Sequence, residues 1–300
     1  MAEPQLLQRT CPLCERDNRH EPRSHWSRDE WTIRDCPECR FVYLENAVDY
    51  ASLAGDFRWT STAPLERQRR LNAEPITTRL RHAWKALRRQ LLFRHKCANL
   101  AHARFEPGPV LDVGCGGGKF LGLLDERYQL YGIEIDPVAV VNTTQRLATR
   151  GVQIVQSDAL TGFQQLPEAF FSGIMMKCYL EHETAPGPVL RAAVRTLRPG
   201  GQIIIKVPNF QSWNRQLQGQ RWSGFRFPDH VNYFTPDTLM QLVRRCGLEV
   251  TRCSWLDRNP VNDNMFSSPG CPPQRLSRRL WRAARRRANA KRPSGAVGVP

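Results

Sequence analysis

Four cysteines, a glycine-rich turn and two histidines are the residues of this 300-residue chain whose types and spacing could do chemistry. Cys11-Pro-Leu-Cys14 and Cys36-Pro-Glu-Cys39 are two Cys-x-x-Cys pairs with 21 residues between them. Each pair can form a tight knuckle, and together they offer four thiolates to a tetrahedral zinc with no open ligand position, so the expected metal is structural. The stretch from Trp31 to Asp35 alternates like a strand, which fits a zinc-ribbon-like module whose metal replaces a core too small to hold itself. Buried or redox-active thiols are the alternative, although redox Cys-x-x-Cys motifs usually occur singly in a βα context.

The second candidate is VLDVGCGGGKFL at 110–121, an apolar run that ends in a glycine turn. A dinucleotide fold asks for G-x-G-x-x-G, and Gly114 and Gly116 satisfy its first two positions, but Lys119 stands at the third. A phosphate-binding G-x-x-x-x-G-K-[ST] loop fails because Phe120 follows the lysine. The pattern that fits is D-x-G-x-G-x-G, read as Asp112, Gly114, Gly116 and Gly118.

Through this pattern the chain resembles the class I S-adenosylmethionine-dependent methyltransferases, over residues of about 107–250. The resemblance implies that the turn at 114–118 lets backbone approach the methionine part of the cofactor and that Asp112 faces its amino group. It also implies that an acid ending the second strand grips the ribose hydroxyls, with Glu134 in YGIEIDP the first candidate and Asp136 the near alternative. Asp158 in VQSDAL would stand beside the adenine amino group, with Ala159 and Leu160 packed on the ring. IMMKCYLEHETAP resembles the family's fourth-strand segment, and LRPGGQIIIKVPN resembles the loop that leads into its fifth strand.

His182, in YLEHE, and His230, in FRFPDHVNYFTPDTL, are placed by this reading at the carboxyl ends of strands, where ligands bind in open sheets. Transfer of methyl from a sulfonium is an in-line displacement, so the protein contributes alignment and, where the acceptor must lose a proton, a base. His230 is the first candidate base, His182 the reserve, and Asp229 a neighbour able to tune the local field. Residues 222–239 resemble a segment of bacterial methyltransferases of secondary metabolism and cell-surface glycan pathways. With the cysteine module they are also similar to sugar C-methyltransferases, although Phe227 stands where those carry a tyrosine. The expected acceptor is therefore a small molecule, a sugar or another cell-surface or secondary metabolite. RNA methylation and a non-catalytic cofactor-binding scaffold are the alternatives.

The elements that must position these residues follow from composition and period. Hydrophobic residues make up 41% of the chain, enough for a sizeable core. The formal net charge of +16 implies attraction to something anionic, including RNA or an acidic membrane surface. There is no basic segment followed by an apolar core at the N-terminus and no apolar run of membrane-spanning length, so the expected location is cytoplasmic. Ten cysteines, four of them in the two pairs, suit a reducing compartment.

Apolar runs alternating with helix-length spacers between about 107 and 257 predict βαβ units, hence an α/β, Rossmann-like, doubly wound and mostly parallel sheet. The cysteine module would occupy 1–50. A basic helical segment at 51–106 precedes the first strand, with Trp84, Leu87, Leu91 and Phe93 as candidate lid contacts, and a basic, Pro-rich tail at 258–300 is expected to be flexible. Residues 275–292 of that tail can form a helix with Leu276, Leu280, Trp281 and Ala284 on one face and arginines around it, a pattern suited to an anionic membrane surface. The last strand expected is LEVTRCSWL, and no further strand is legible after it.

Overall fold

A computed structural model of the chain describes residues 6–48, 68, 96–253 and 264–270. The candidate lid residues 84–93 and the tail segment 275–292 lie outside the described residues. Among the described residues no helix is long and apolar enough to cross a membrane.

Strand β5 (Gly108–Val113) follows helix α1 (Lys96–Arg104) and begins the sheet that carries the site. After it come β6 (Tyr128–Glu134), α2 (Pro137–Arg146), β7 (Gln153–Gln156) and α3 (Ala159–Gln165). The chain then crosses to the other side of β5 with β8 (Phe171–Lys177), α4 (Pro186–Thr196) and β9 (Leu197–Pro208). Helices α5 (Trp213–Gln218) and α6 (Pro236–Arg245) and strand β11 (Glu249–Arg252) complete this part. The strands pair in parallel from β7 through β6, β5 and β8 to β9, which is the Rossmann-like arrangement. The winding reverses between β5 and β8, so a crevice opens there at the carboxyl ends of the strands.

Alternating side chains divide between the two faces because the side-chain period of a strand is two. Ile174 and Met176 of β8 and Ile203 and Ile205 of β9 join the core beneath α4 and α6. Met175 and Ile204 point the other way, into a core with Val110, Leu130, Phe105 and Ala101. Helix α6 is fixed by a capping box, in which Thr235 and Thr238 satisfy each other's backbone N–H groups, and by Pro236 in its first turn.

One strand departs from the sequence expectation. Residues 264–270 form β12 (Asn264–Gly270), antiparallel to both β9 and β11, so among the described residues the sheet has seven strands in the order β11-β12-β9-β8-β5-β6-β7. The expectation of a flexible segment from 258 onward is therefore corrected at 264–270. Ser267, Ser268 and Pro269 give this strand a poor β signature, and its place is set by pairing with β9.

The N-terminal module contains β1 (Leu6–Gln8), β2 (Ile33–Asp35), β3 (Val42–Leu44) and β4 (Asn46–Val48). It is not a separate bead. Strand β10 (Asn232–Tyr233), which follows His230, pairs antiparallel with β3 and becomes the third strand of the β2–β3 sheet. Below it lies an aromatic core of Trp222, Phe225, Phe210 and Tyr233 with Ile33 and Leu44, joined by Trp26 stacked on Phe225 at 5.2 Å.

Candidate active site

The turn after β5 carries Gly114, Gly116 and Gly118 at φ of +68°, +50° and +63°, a left-handed region that side chains with a Cβ rarely adopt. At Gly114 there is a second constraint, since a Cβ there would stand 2.8 Å from the Tyr179 ring. Among the described residues nothing lies within 4 Å of where a Cβ would be at Gly116 or Gly117, so the turn presents bare backbone there. Helix α2 holds the turn from behind. Thr143 Oγ1 donates to the Gly116 carbonyl at 2.6 Å and Arg146 Nη2 to that of Gly118 at 2.7 Å.

The acids suggested by the family resemblance separate into distinct duties. Glu134, at the end of β6, accepts from Gly116 N at 2.7 Å and from Asp136 N at 2.9 Å, which fixes its carboxylate against the glycine turn. Asp136 instead caps α2 by accepting from Val138 N at 2.9 Å. Asp158 caps α3 by accepting from Thr161 N at 3.0 Å, and Ala159 behind it is buried. Asp112 is buried in β5, and burial, opposed by Lys177 and reinforced by Glu134, pushes its carboxyl up to about 8. A bare-backbone turn beside an anchored carboxylate on the neighbouring strand could hold S-adenosylmethionine, the backbone facing its methionine part and Glu134 its ribose hydroxyls.

Both histidines lie on the other side of the crevice, and the structure brings them together with a ring-centroid separation of 4.7 Å and an edge-to-face angle of 85°. His182 Nδ1 is 2.9 Å from the Asp229 carbonyl and His230 Nδ1 is 2.9 Å from the Gly224 carbonyl. A carbonyl can only accept, so each ring carries its proton on Nδ1 and turns Nε2 elsewhere as an acceptor in the neutral form. Burial, with Arg226 adding to it and Asp229 opposing, pushes His182 down to about 4. Asp229 pairs its carboxylate with buried Arg226 at 2.5 Å and orients His182 through its backbone carbonyl.

Residues without a role in the sequence reading hold this half together. Glu181 is 2% exposed, burial pushes its carboxyl up to about 8, and its Oε2 has no hydrogen-bond partner among the described residues. Its backbone carbonyl accepts from Val231 N and Asn232 N. Asn232 Nδ2 donates to the Leu180 and Glu183 carbonyls at 2.8 and 2.6 Å. Tyr179 Oη donates to Glu183 at 2.5 Å while its ring backs Gly114. From the N-terminal module, buried Arg9 donates to the carbonyls of Leu44, Val231 and Thr184 and to Asn232 Oδ1 at 2.7–3.1 Å. Glu181 sits inside the Leu-Glu-His stretch and is visible there. Arg9 carries no sequence signal, because its partners lie up to 223 positions away.

The four paired cysteines also converge. Cys11 Sγ lies 3.4 Å from Cys39 Sγ, Cys14 Sγ 3.5 Å from Cys36 Sγ, and all four sulfurs fall within 4.8 Å of one another. Sulfurs bound at about 2.3 Å in a tetrahedron would stand roughly 3.8 Å apart, so the cluster is of the right size for zinc. The two knuckles repeat each other. Glu15 and Arg40, each following the second cysteine of its pair, have φ of +66° and +59°. Their N–H groups donate to the carbonyls of Cys11 and Cys36, both at 2.8 Å.

Comparison with known proteins agrees with this geometry. A family model described as a methyltransferase domain matches residues 83–252. The ubiquinone biosynthesis O-methyltransferase of Pseudomonas entomophila is 30% identical over 161 residues, which cover 51% of this chain and 69% of that protein. The protein of that name from an Azoarcus species is 26% identical over 160 residues, with the same coverage. In structure, the chain is similar to an S-adenosylmethionine-dependent methyltransferase from Clostridium acetobutylicum, with a TM-score of 0.50 at 10% identity over 66% of this chain and 99% of that one.

Proposed function

From the premise that this chain belongs to the class I S-adenosylmethionine-dependent methyltransferases, we propose that it methylates a hydroxyl of a small molecule, of the sugar or secondary-metabolite type, with His230 as the base. The observation that carries this reading is the histidine pair, aimed by two backbone carbonyls at the carboxyl end of β8 and adjoining Tyr179, whose ring touches the glycine turn. The relatives named as O-methyltransferases support oxygen as the acceptor atom.

Bound S-adenosylmethionine supplies a methyl group on a sulfonium, open to in-line attack. The chain's own part is division of labour. The turn at 114–118 and Glu134 hold and orient the cofactor, with Asp112 and the stretch Asp158–Ala159 placed for its amino-acid and adenine ends. Nε2 of His230 takes the acceptor's proton as oxygen attacks, and its Nδ1–H stays on the Gly224 carbonyl, which keeps the ring aimed and steadies the imidazolium. His182, its ring held by the Asp229 carbonyl, stands in reserve as the base. Zinc at Cys11, Cys14, Cys36 and Cys39 belongs to the same proposal as a structural ion, because the knuckles support β3, on which β10 and hence the His230 loop are hung.

The test is to incubate the protein with methyl-labelled cofactor and cell extract divided into RNA, lipid and small-molecule fractions. The reading expects label in the small-molecule fraction as a methyl ether. Label in RNA, or on carbon, would replace the proposed acceptor.

A further inference from the structure

We propose that Glu181, His182 and His230 form a binding site for a divalent transition-metal ion of the zinc class, distinct from the cysteine cluster. One carboxylate oxygen and one ring nitrogen from each histidine lie within 4.8 Å of one another, with Glu181 and His230 buried and His182 half-buried. Donors around one ion at about 2.0–2.2 Å stand roughly 3–3.5 Å apart, so modest side-chain rotation closes the set.

Three independent features point to an ion. The first is Glu181 Oε2, a carboxylate oxygen in a residue 2% exposed with no hydrogen-bond partner among the described residues, an arrangement costly for a buried acid unless something cationic completes it. The second is the pair of Nδ1–H···O=C bonds, from His182 to Asp229 and from His230 to Gly224. Metal-bound histidines almost always give their other ring N–H to a carbonyl or carboxylate, which fixes the tautomer and presents the second nitrogen for ligation. Here two rings from segments 48 positions apart do so while facing each other at 4.7 Å. The third is composition, because two imidazoles and a carboxylate suit zinc, iron, cobalt or nickel rather than magnesium or calcium, and three protein ligands leave positions open.

Those open positions give the site a role that rests on the proposed methylation of a hydroxyl and takes over the part given there to His230 as the base. An acceptor hydroxyl bound to the ion would lose its proton more readily, since a bound cation favours the alkoxide, and the two histidines would then act as ligands rather than as a base. The binding claim itself does not depend on methyl transfer.

The test uses the full chain, stripped with chelator and loaded with cobalt(II). The parent should show weak visible d–d bands of a nitrogen-oxygen site in addition to any intense thiolate charge-transfer band from the cysteine cluster. It should also give two paramagnetically shifted, exchangeable imidazole N–H proton signals, one per ring. Glu181→Gln and His230→Ala should weaken cobalt binding at this site by about 100-fold or more and leave the thiolate band, which reports an intact fold. Absence of the nitrogen-oxygen bands and shifted N–H signals from the parent would overturn the proposal, as would folded variants that bind cobalt here as tightly as the parent. Should a variant also lose the thiolate band, the parent's N–H signals decide. A parent that shows them but transfers no methyl group to any small molecule would keep the metal site and discard the proposed function.

Discussion

The two halves of the crevice are built by different means. The half at β5, β6 and β7 is made of short, contiguous motifs, in which a turn of left-handed glycines is held by an acid 18 positions away and by the helix just after it. The half at β8 is assembled from the Leu-Glu-His stretch, a loop some 50 residues later and an arginine at position 9, tied across separations of 175 to 223 positions. A cofactor shared across a family can be held by local backbone geometry that many sequences reproduce. An acceptor specific to one enzyme needs side chains brought from wherever the fold can supply them.

The sharpest way to break this division is to cut one half and read the other. With an acceptor found by the labelling experiment, His230→Ala should lower turnover by ~10²–10⁴-fold with cofactor affinity barely changed. His182→Ala run beside it tests the assignment, for near-normal turnover in the first variant with loss in the second would move the principal role to His182. On the cofactor side, Gly114→Ala should weaken S-adenosylmethionine binding by at least about tenfold in calorimetry. The new Cβ meets the Tyr179 ring and imposes about 1–3 kcal/mol of backbone strain.

Acidity offers a third probe of the cofactor half. Folding raises Asp112 from an ordinary value of 3.8 to about 8, so between those values the folded chain holds a proton that the unfolded chain has released. Stability of the cofactor-free protein should therefore fall as pH rises through that window and level off above it. Asp112→Asn should flatten the loss by several degrees of melting midpoint, and an unchanged slope would mean that Asp112 ionises normally. The smallest effects separate two neighbouring acids. Glu134→Ala should cost ~1–3 kcal/mol of cofactor affinity. Asp136→Ala should cost about 1 kcal/mol of stability through the lost cap and leave affinity alone.

The same division explains what the sequence could tell. The parallel sheet was legible because apolar strands alternate with helix-length spacers, and the glycine turn because its pattern excludes the other nucleotide loops. Glu134 and Asp136 are two positions apart and chemically equivalent on paper; the bond from Gly116 N to the first and the capping bond from Val138 N to the second separate them. Strand β12 was illegible because its serines and proline carry little β preference and its partner lies 56 positions back at their closest approach, Asn264 against Pro208. The sharing of β10 with the N-terminal sheet and the four bonds of Arg9 depend on three-dimensional closure, which no local pattern records. The histidines were visible as candidates, and their convergence was not.

Arg9 tests the central claim most directly, because it touches the acceptor half from the N-terminal module and makes no contact with the glycine turn among its recorded bonds. The decisive measurement is cofactor affinity and turnover on one preparation of Arg9→Met, which keeps much of the apolar stem but removes the donors to Leu44, Thr184, Val231 and Asn232. If the halves are built separately, the cofactor dissociation constant stays within about twofold of the parent while turnover falls by about tenfold or more, as expected when buried acceptors lose a charged donor. Cofactor affinity that falls in step with turnover, or turnover that stays at the parental level, would contradict the division.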